Sequence, residues 1–324
     1  AATSMPSHAG VVKRSLLRQS RVLFQREFIM RTPALRADLL MLLTAIIWGS
    51  AFIAQRMGMD SIGPFLYTGL RFTLASIVLL PLILFLEKRV EHSKPEPFNP
   101  GLLLGGLIMG LALTIGMNLQ QVGLLFTSVT NSGFITGLYV IIVPLLGLFL
   151  GHKTGLGIWM GAALAVTGMF LLSVGDGFQV ASGDWLQLAG AFVWGMHVLL
   201  VGHFASRHDP LQLALIQFTV CGLISLLLAL LFEPIQLAAI LAALPAILYG
   251  GLLGVCVGFT LQVVAQKDAI PSHAAVILSM EAVFAALFGA LLLGEALSIK
   301  GYFGCALMLA GMLLAQLWPR AKAA

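Results

Sequence analysis

The sequence predicts an all-α membrane protein of ten transmembrane helices arranged as a 5+5 inverted repeat. Three observations predict it: apolar stretches of about 20 residues, basic residues concentrated in alternate loops, and landmark residues repeated at one interval along the chain.

Of 324 residues, 59% are apolar, only 10% are charged, and the mean hydropathy is +1.00. A soluble domain needs more polar surface than this, whereas a protein solvated by lipid stays apolar outside and inside once its backbone is internally hydrogen-bonded. The apolar stretches lack strict alternation, so helices account for them and a barrel does not. Cys221, Cys256 and Cys305 each sit within an apolar stretch at no metal-ligand or redox spacing, and read as small packing residues.

Residues 1–37 form a basic N-terminal tail holding Lys13, Arg14, Arg18, Arg21, Arg26, Arg31 and Arg36 against the single acid Glu27. No apolar core with a small-residue cleavage site follows the charges, which excludes a cleavable signal peptide. The tail reads as a cytoplasmic segment that clings to anionic headgroups. The chain does not begin with Met, and Met30 stands just ahead of the first span as an alternative start.

Ten spans follow, at about 38–56, 64–86, 102–122, 128–150, 155–174, 184–204, 211–231, 245–265, 271–293 and 299–318. With both termini inside, the inner segments hold fifteen Lys and Arg: seven in the tail, then Lys88, Arg89, Lys94, Lys153, Arg207, Lys267, Arg320 and Lys322. The outer loops hold only Arg56 and Lys300, and Arg71 lies within a span. This asymmetry orients the chain with its termini in the cytoplasm.

Residues 38–174 and 184–318 read as two five-helix repeats. Asp38, Trp48-Gly49, Pro64 and Arg71-Phe72-Thr73 recur 146 residues later as Asp184, Trp194-Gly195, Pro210 and Gln217-Phe218-Thr219. Gly105-Gly106 matches Gly250-Gly251 at 145, and Gly151, Gly161 and Gly168-Met169 match Gly294, Gly304 and Gly311-Met312 at 143. Because five is odd, the second repeat enters the bilayer from the opposite side. Inverted repeats recur in secondary transporters, where two half-structures exchange conformations and open a midplane site to either face.

The segments WGSAFIAQR at 48–56, RF at 71–72, NSGFITGLYVIIVPLLG at 131–147 and SMEAVFAALFGALLLGE at 279–295 resemble the drug/metabolite transporter superfamily, specifically its EamA-like members. The resemblance covers about residues 37–318. It implies a carrier of five plus five helices that exports amino acids or other small metabolites, with the first, third, fourth, sixth, eighth and ninth spans around a central cavity. The acidic residue that often follows Gly at the end of the fourth helix is here His152, while the second half keeps Glu295. The asparagine-tyrosine-leucine-tryptophan-proline run of aromatic amino acid exporters is missing.

Glu281 lies near the bilayer midplane in the ninth span. A charge there costs roughly 2.5 to 3.5 kcal/mol, so the carboxyl must face a cavity, find a partner or be protonated. Uptake and release of a proton at this position is the chemistry a proton-coupled carrier needs; a carboxyl that locks its helix to a neighbour is the structural alternative. Tyr139, which aligns with Ala282, stands at similar depth and is a polar neighbour for the acid. Trp48 and Trp194 stand near mid-depth, away from the interfacial belts, and offer flat apolar walls with one donor each for an amphipathic substrate; close packing beside Gly49 and Gly195 explains them equally. His197, one turn from Trp194, is a candidate substrate contact or a hydrogen-bonded core histidine.

Arg71 is read as structural, snorkelling outward or pairing with a carbonyl. Asn118, Gln121 and Asn131 serve an access path or bonds between helices. Pro144, inside the fourth span, predicts a local kink and a hinge. Glycines at 101, 105, 106 and 110, and at 250, 254 and 258, make stripes for close helix approach.

The predicted activity is therefore alternating access by a secondary transporter, with Trp48, Tyr139, Trp194, His197 and Glu281 at the substrate and Glu281 also coupling protons. The sequence contains no H-E-x-x-H, no paired intramembrane carboxylates and no phosphate loop, which disfavours an intramembrane enzyme. A channel would show rows of selectivity residues. A structural or signalling membrane protein is the remaining alternative. No cofactor, metal or nucleic acid is expected. The partners are a small-molecule substrate and the bilayer of a bacterial plasma membrane, with a homodimer as one option for assembly.

Overall fold

The structure, a computed structural model, describes residues 8–89, 99–173, 181–293 and 298–318. The side chains of residues 1–32, Lys88, Arg89, Lys94, Gly294, Glu295, Arg320 and Lys322, on which part of the charge count and one family position rest, lie outside the described residues.

All regular structure among the described residues is helical. Helix α1 runs His8–Gly58, α2 Pro64–Arg89 and α3 Pro100–Gly123; α4 (Val129–Gly137) and α5 (Tyr139–Phe149) share the fourth predicted span, and α6 covers Leu156–Ser173. In the second half, α7 spans Ser182–Ala205 and α8 Pro210–Phe232. Helix α9 (Leu237–Tyr249), a π-helical segment (Gly250–Phe259) and α10 (Thr260–Gln266) form one continuous run; α11 (Pro271–Leu278), α12 (Glu281–Leu293) and α13 (Ile299–Leu317) complete the chain. Among the described residues eight helical stretches are long and apolar enough to cross a membrane, while Leu156–Leu171 and Ile299–Ala315 are shorter. The protein is a multi-pass integral membrane protein.

Helix starts follow local chemistry. Asn99 and Asp209 cap α3 and α8 ahead of Pro100 and Pro210, where proline's missing N–H costs nothing. Helix α2 is capped from a distance: Glu233, just past α8, accepts from the backbone N–H groups of Phe65 and Leu66, at 2.8 Å each. Gly151, at φ 78°, ends α5; the N–H of His152 bonds Gly147 and that of Gly151 bonds Leu148, a paired closure that the left-handed glycine permits. His152 thus occupies the turn.

The predicted boundaries change in three places. Helix α1 continues through Pro33 instead of beginning near Asp38. The eighth span reaches back to Leu237 with Pro245 inside it, since neighbouring helices absorb a lost backbone bond within a bundle. Pro144 lies within an unbroken α5; the interruption is at Leu138. Proline is not its cause, because α11 and α12 break at the equivalent place, Ser279-Met280, with no proline nearby.

Helix α6 packs against α13, α2 against α8, α3 against α7 and α8, and α1 against α12 and the π segment. A Cβ on Gly161 would come within 2.7 Å of the Gly311 carbonyl, and one on Gly168 would meet the Gly304 carbonyl, so α6 and α13 touch backbone to backbone. The glycine stripes serve the same end, with Gly105 against Phe204, Gly106 against Ile216, and Gly250 and Gly251 against α2. Outward faces carry exposed Ile77, Leu80, Leu84, Leu223, Leu227 and Leu230, an apolar surface suited to lipid.

Candidate functional site

A small, partly open cavity of about 40 Å³ lies among α1, α2, α3, the α4–α5 and α11–α12 pairs, α7, the π segment and α10. Its apolar wall is aromatic. Trp48 on α1 and Trp194 on α7 are bridged by Phe259, whose ring lies 4.6 Å from Trp48 and stacks on Trp194 at 5.8 Å. The Trp48 indole is oriented by donating from Nε1 to the Gly254 carbonyl, at 3.2 Å.

Glu281 faces Tyr139 across this space. Each is the first residue of a helix that begins after an interruption, α12 and α5, so two broken helices meet at the cavity. The Tyr139 hydroxyl donates to Glu281 Oε1 at 3.1 Å, and both residues are buried. Interrupted helices that place their ends at a midplane site are a recurrent feature of transporters.

Trp48, Tyr139, Trp194 and Glu281 are thus brought together, and His197 is not. Its Nε2 pairs with Gln217 Oε1 on α8 at 2.9 Å, it is fully buried, and it lies outside the cavity lining. Val198, one turn on from Trp194, takes the lining place beside it. His197 still touches the site indirectly, with its ring edge-on to Trp194 at 5.6 Å.

Arg71 departs from expectation in the other direction. It does not snorkel; it is 2% exposed and lines the cavity, although its span was expected to stand outside. Its Nη2 donates to Gln121 Oε1 at 3.2 Å and contacts Met117 Sδ at 2.6 Å, and the guanidinium carbon lies 5.0 Å from the centre of the Tyr67 ring. Gln121 is thereby a tether for Arg71, and Asn118 bonds Ser225 on α8 at 2.9 Å, so both join helices. Asn131 is half-buried near the start of α4 and stands outside the cavity lining.

Polar lining that the sequence reading passed over comes from amides and a hydroxyl. Gln120 donates to Thr136 at 3.0 Å and its carbonyl accepts from Gln187 at 2.8 Å, while Gln55 and Gln262 each present a buried Oε1 bonded to no protein group. The signal for these was present: lone amides in apolar spans carry the same implication as a lone carboxyl.

The model of the EamA-like transporter family matches the chain twice, over residues 35–174 and 181–317. Among similar proteins, an "Uncharacterized transporter" of Archaeoglobus fulgidus is 32% identical, covering 87% of this chain and 86% of its own length. The "Uncharacterized inner membrane transporter YedA" of Escherichia coli K12 is 26% identical over 78% and 81% of the two chains. A "Probable terminal-alkyne amino-acid exporter" of Streptantibioticus cattleyicolor is 27% identical over 54% and 57%. A solved crystal structure at 21% identity superposes with a TM-score of 0.71, covering 88% of this chain and 97% of its own, and shares the fold. The chain belongs to the EamA-like transporter family.

Proposed function

We propose that the protein is a secondary transporter that exports a small metabolite, an amino acid or an amphipathic organic compound, by alternating access around the central cavity. The observation that carries this reading is a small, partly open cavity in which one carboxyl and aromatic walls converge where two broken helices meet.

Two matches to one family model support a pair of five-helix repeats, and the helix contacts agree with an inverted arrangement. Exchanging each first-half helix for its second-half counterpart turns α3 on α7 into the α9–π run on α1, and α1 on α12 into α7 on α5, all of which are contacts in the structure. Gly161 on Gly311 likewise becomes Gly304 on Gly168. Ten crossings and cytoplasmic termini are favoured by the basic residues of alternate loops. A bacterial plasma membrane is favoured by the name of the Escherichia coli relative. Export of an amino acid or similar metabolite is favoured by the family resemblance and by the name of the Streptantibioticus relative. Glu281 is the proton-linked group in this reading, because it is the one carboxyl among the lining residues.

Counterflow in proteoliposomes with radiolabelled amino acids and small amphipathic metabolites, with and without a pH gradient, tests the proposal. Saturable exchange of a panel member is expected. Silence across the panel from folded protein would contradict it.

A further inference from the structure

We infer that the two halves are latched together near both faces of the membrane by a matched pair of contacts, His273 on Asp38 at the cytoplasmic face and Thr127 on Asp184 at the outer face, and that breaking either one opens the central cavity to its own side. This rests on the reading of the protein as an alternating-access transporter and names the contacts that control entry to its site.

The two contacts are related by the repeat. Asp184 stands 146 residues after Asp38, and His273 stands 146 residues after Thr127, so one contact becomes the other when the halves are exchanged. His273 Nε2 donates to Asp38 Oδ1 at 3.1 Å, and Thr127 Oγ1 donates to Asp184 Oδ1 at 2.5 Å. Each bond ties a residue of the first half to one of the second. In the proposed inverted arrangement the bonds lie on opposite sides of the bilayer, because α1 and α7 then run in opposite directions.

Each bond also sits where a path to the cavity has to open. Asp38 is ten residues before Trp48 on α1 and Asp184 ten before Trp194 on α7, a rise of about 15 Å along each helix. His273 is in the first turn of α11, which leads to Glu281, and Thr127 stands just ahead of α4, which leads to Tyr139. Helix α11 packs on α1, and α4 on α7. The bonds therefore join the outer ends of helices whose inner parts carry the site. His273 and Asp184 are 4% and 8% exposed although both stand near the ends of their spans, so the packed helices close over them.

A single hydrogen bond suits a latch, since its small net contribution lets protein and water partners be exchanged as the halves move. The outer acid has a second tie, because its Oδ2 accepts the N–H of Ala181 at 2.8 Å. Asp184 thus stays fixed on its own helix when Thr127 lets go.

The test is sided labelling of a cysteine in the cavity. Ala51→Cys, in full-length protein with Cys221, Cys256 and Cys305 replaced by Ala, is reacted with a membrane-impermeant methanethiosulfonate in right-side-out and in inside-out vesicles. His273→Ala is expected to raise the rate from the cytoplasmic side about 5-fold and to lower it from the outside, the scale of one hydrogen bond acting on a two-state equilibrium. Thr127→Val is expected to do the reverse. Asp38→Ala and Asp184→Ala remove the same two bonds from the other partner and carry the test if either first variant does not fold. Rates that move in the same direction in both variants, or that do not move in folded protein, would overturn the latches. Counterflow with unshifted labelling would keep the transporter and remove the latches; opposite sided shifts in protein silent to counterflow would uphold the latches and count against the transport reading.

Discussion

The Tyr139 hydroxyl donates to Oε1 of Glu281 across 3.1 Å, and this bond joins the first residues of two helices that both begin at interruptions. The two residues come from different halves of the chain, so under the proposed alternating access the contact lies between the parts that move.

The pair acts as a unit, and this predicts non-additivity. Tyr139→Phe and Glu281→Ala are each expected to lower the thermal stability of detergent-solubilised protein, and the double variant to lower it by less than their sum. A coupling of about 0.5 to 1.5 kcal/mol is expected for one buried hydrogen bond. Strictly additive effects would mean that the bond does not form.

Glu233 closes the N-terminus of α2 from the end of α8, with two backbone N–H groups at 2.8 Å. Glu233→Ala is expected to cost about 1 to 2 kcal/mol, the combined scale of a lost cap and a lost favourable charge at a helix N-terminus. A fall in melting temperature with counterflow KM unchanged would fit this; an unshifted melting curve would not.

Glycine contacts predict opposite outcomes within α6 and just ahead of it. A side chain at Gly168 would meet the Gly304 carbonyl, whereas nothing lies within 4 Å of a Cβ on Gly155. Gly168→Val should abolish the monodisperse folded protein on size-exclusion chromatography, and Gly155→Ala should be silent. Equal behaviour of the two would refute the backbone contact between α6 and α13.

Gly258 is the corresponding position at the site, where a Cβ would stand 2.7 Å from Trp48 Nε1. Gly258→Ala is expected to move the indole off the Gly254 carbonyl and to raise the counterflow KM by roughly 3- to 10-fold, an effect of about 1 kcal/mol, with little change in melting temperature. An unchanged KM would mean that Trp48 does not shape the substrate site.

The helices were largely legible in the sequence because bilayer thickness dictates their length and Pro64, Pro100, Pro210 and Pro271 mark their starts. Trp48, Trp194, Tyr139 and Glu281, placed at like depth by the sequence, all line one cavity. The interruptions at Leu138 and Ser279-Met280 were not read from the sequence, although Gly137 stands beside the first, and Pro144 lies within α5 rather than at the interruption. Arg71 does not snorkel but is buried on the cavity wall, and of the two readings of His197 the structure shows the hydrogen-bonded core histidine. Which way a polar side chain turns is decided by partners on other helices, Gln121 for Arg71 and Gln217 for His197, and those contacts are tertiary.

The central claim is that the Glu281 carboxyl in the cavity links transport to protons, and Glu281→Gln tests it most directly, because glutamine can still accept the Tyr139 hydrogen bond but cannot ionise. In proteoliposomes containing the full-length chain, an imposed pH gradient is expected to accelerate substrate movement by the wild-type protein. The variant is expected to melt at a similar temperature, and whatever exchange it retains is expected to show no response when the gradient is applied. A Glu281→Gln protein that responds to the gradient as the wild type does would contradict the account.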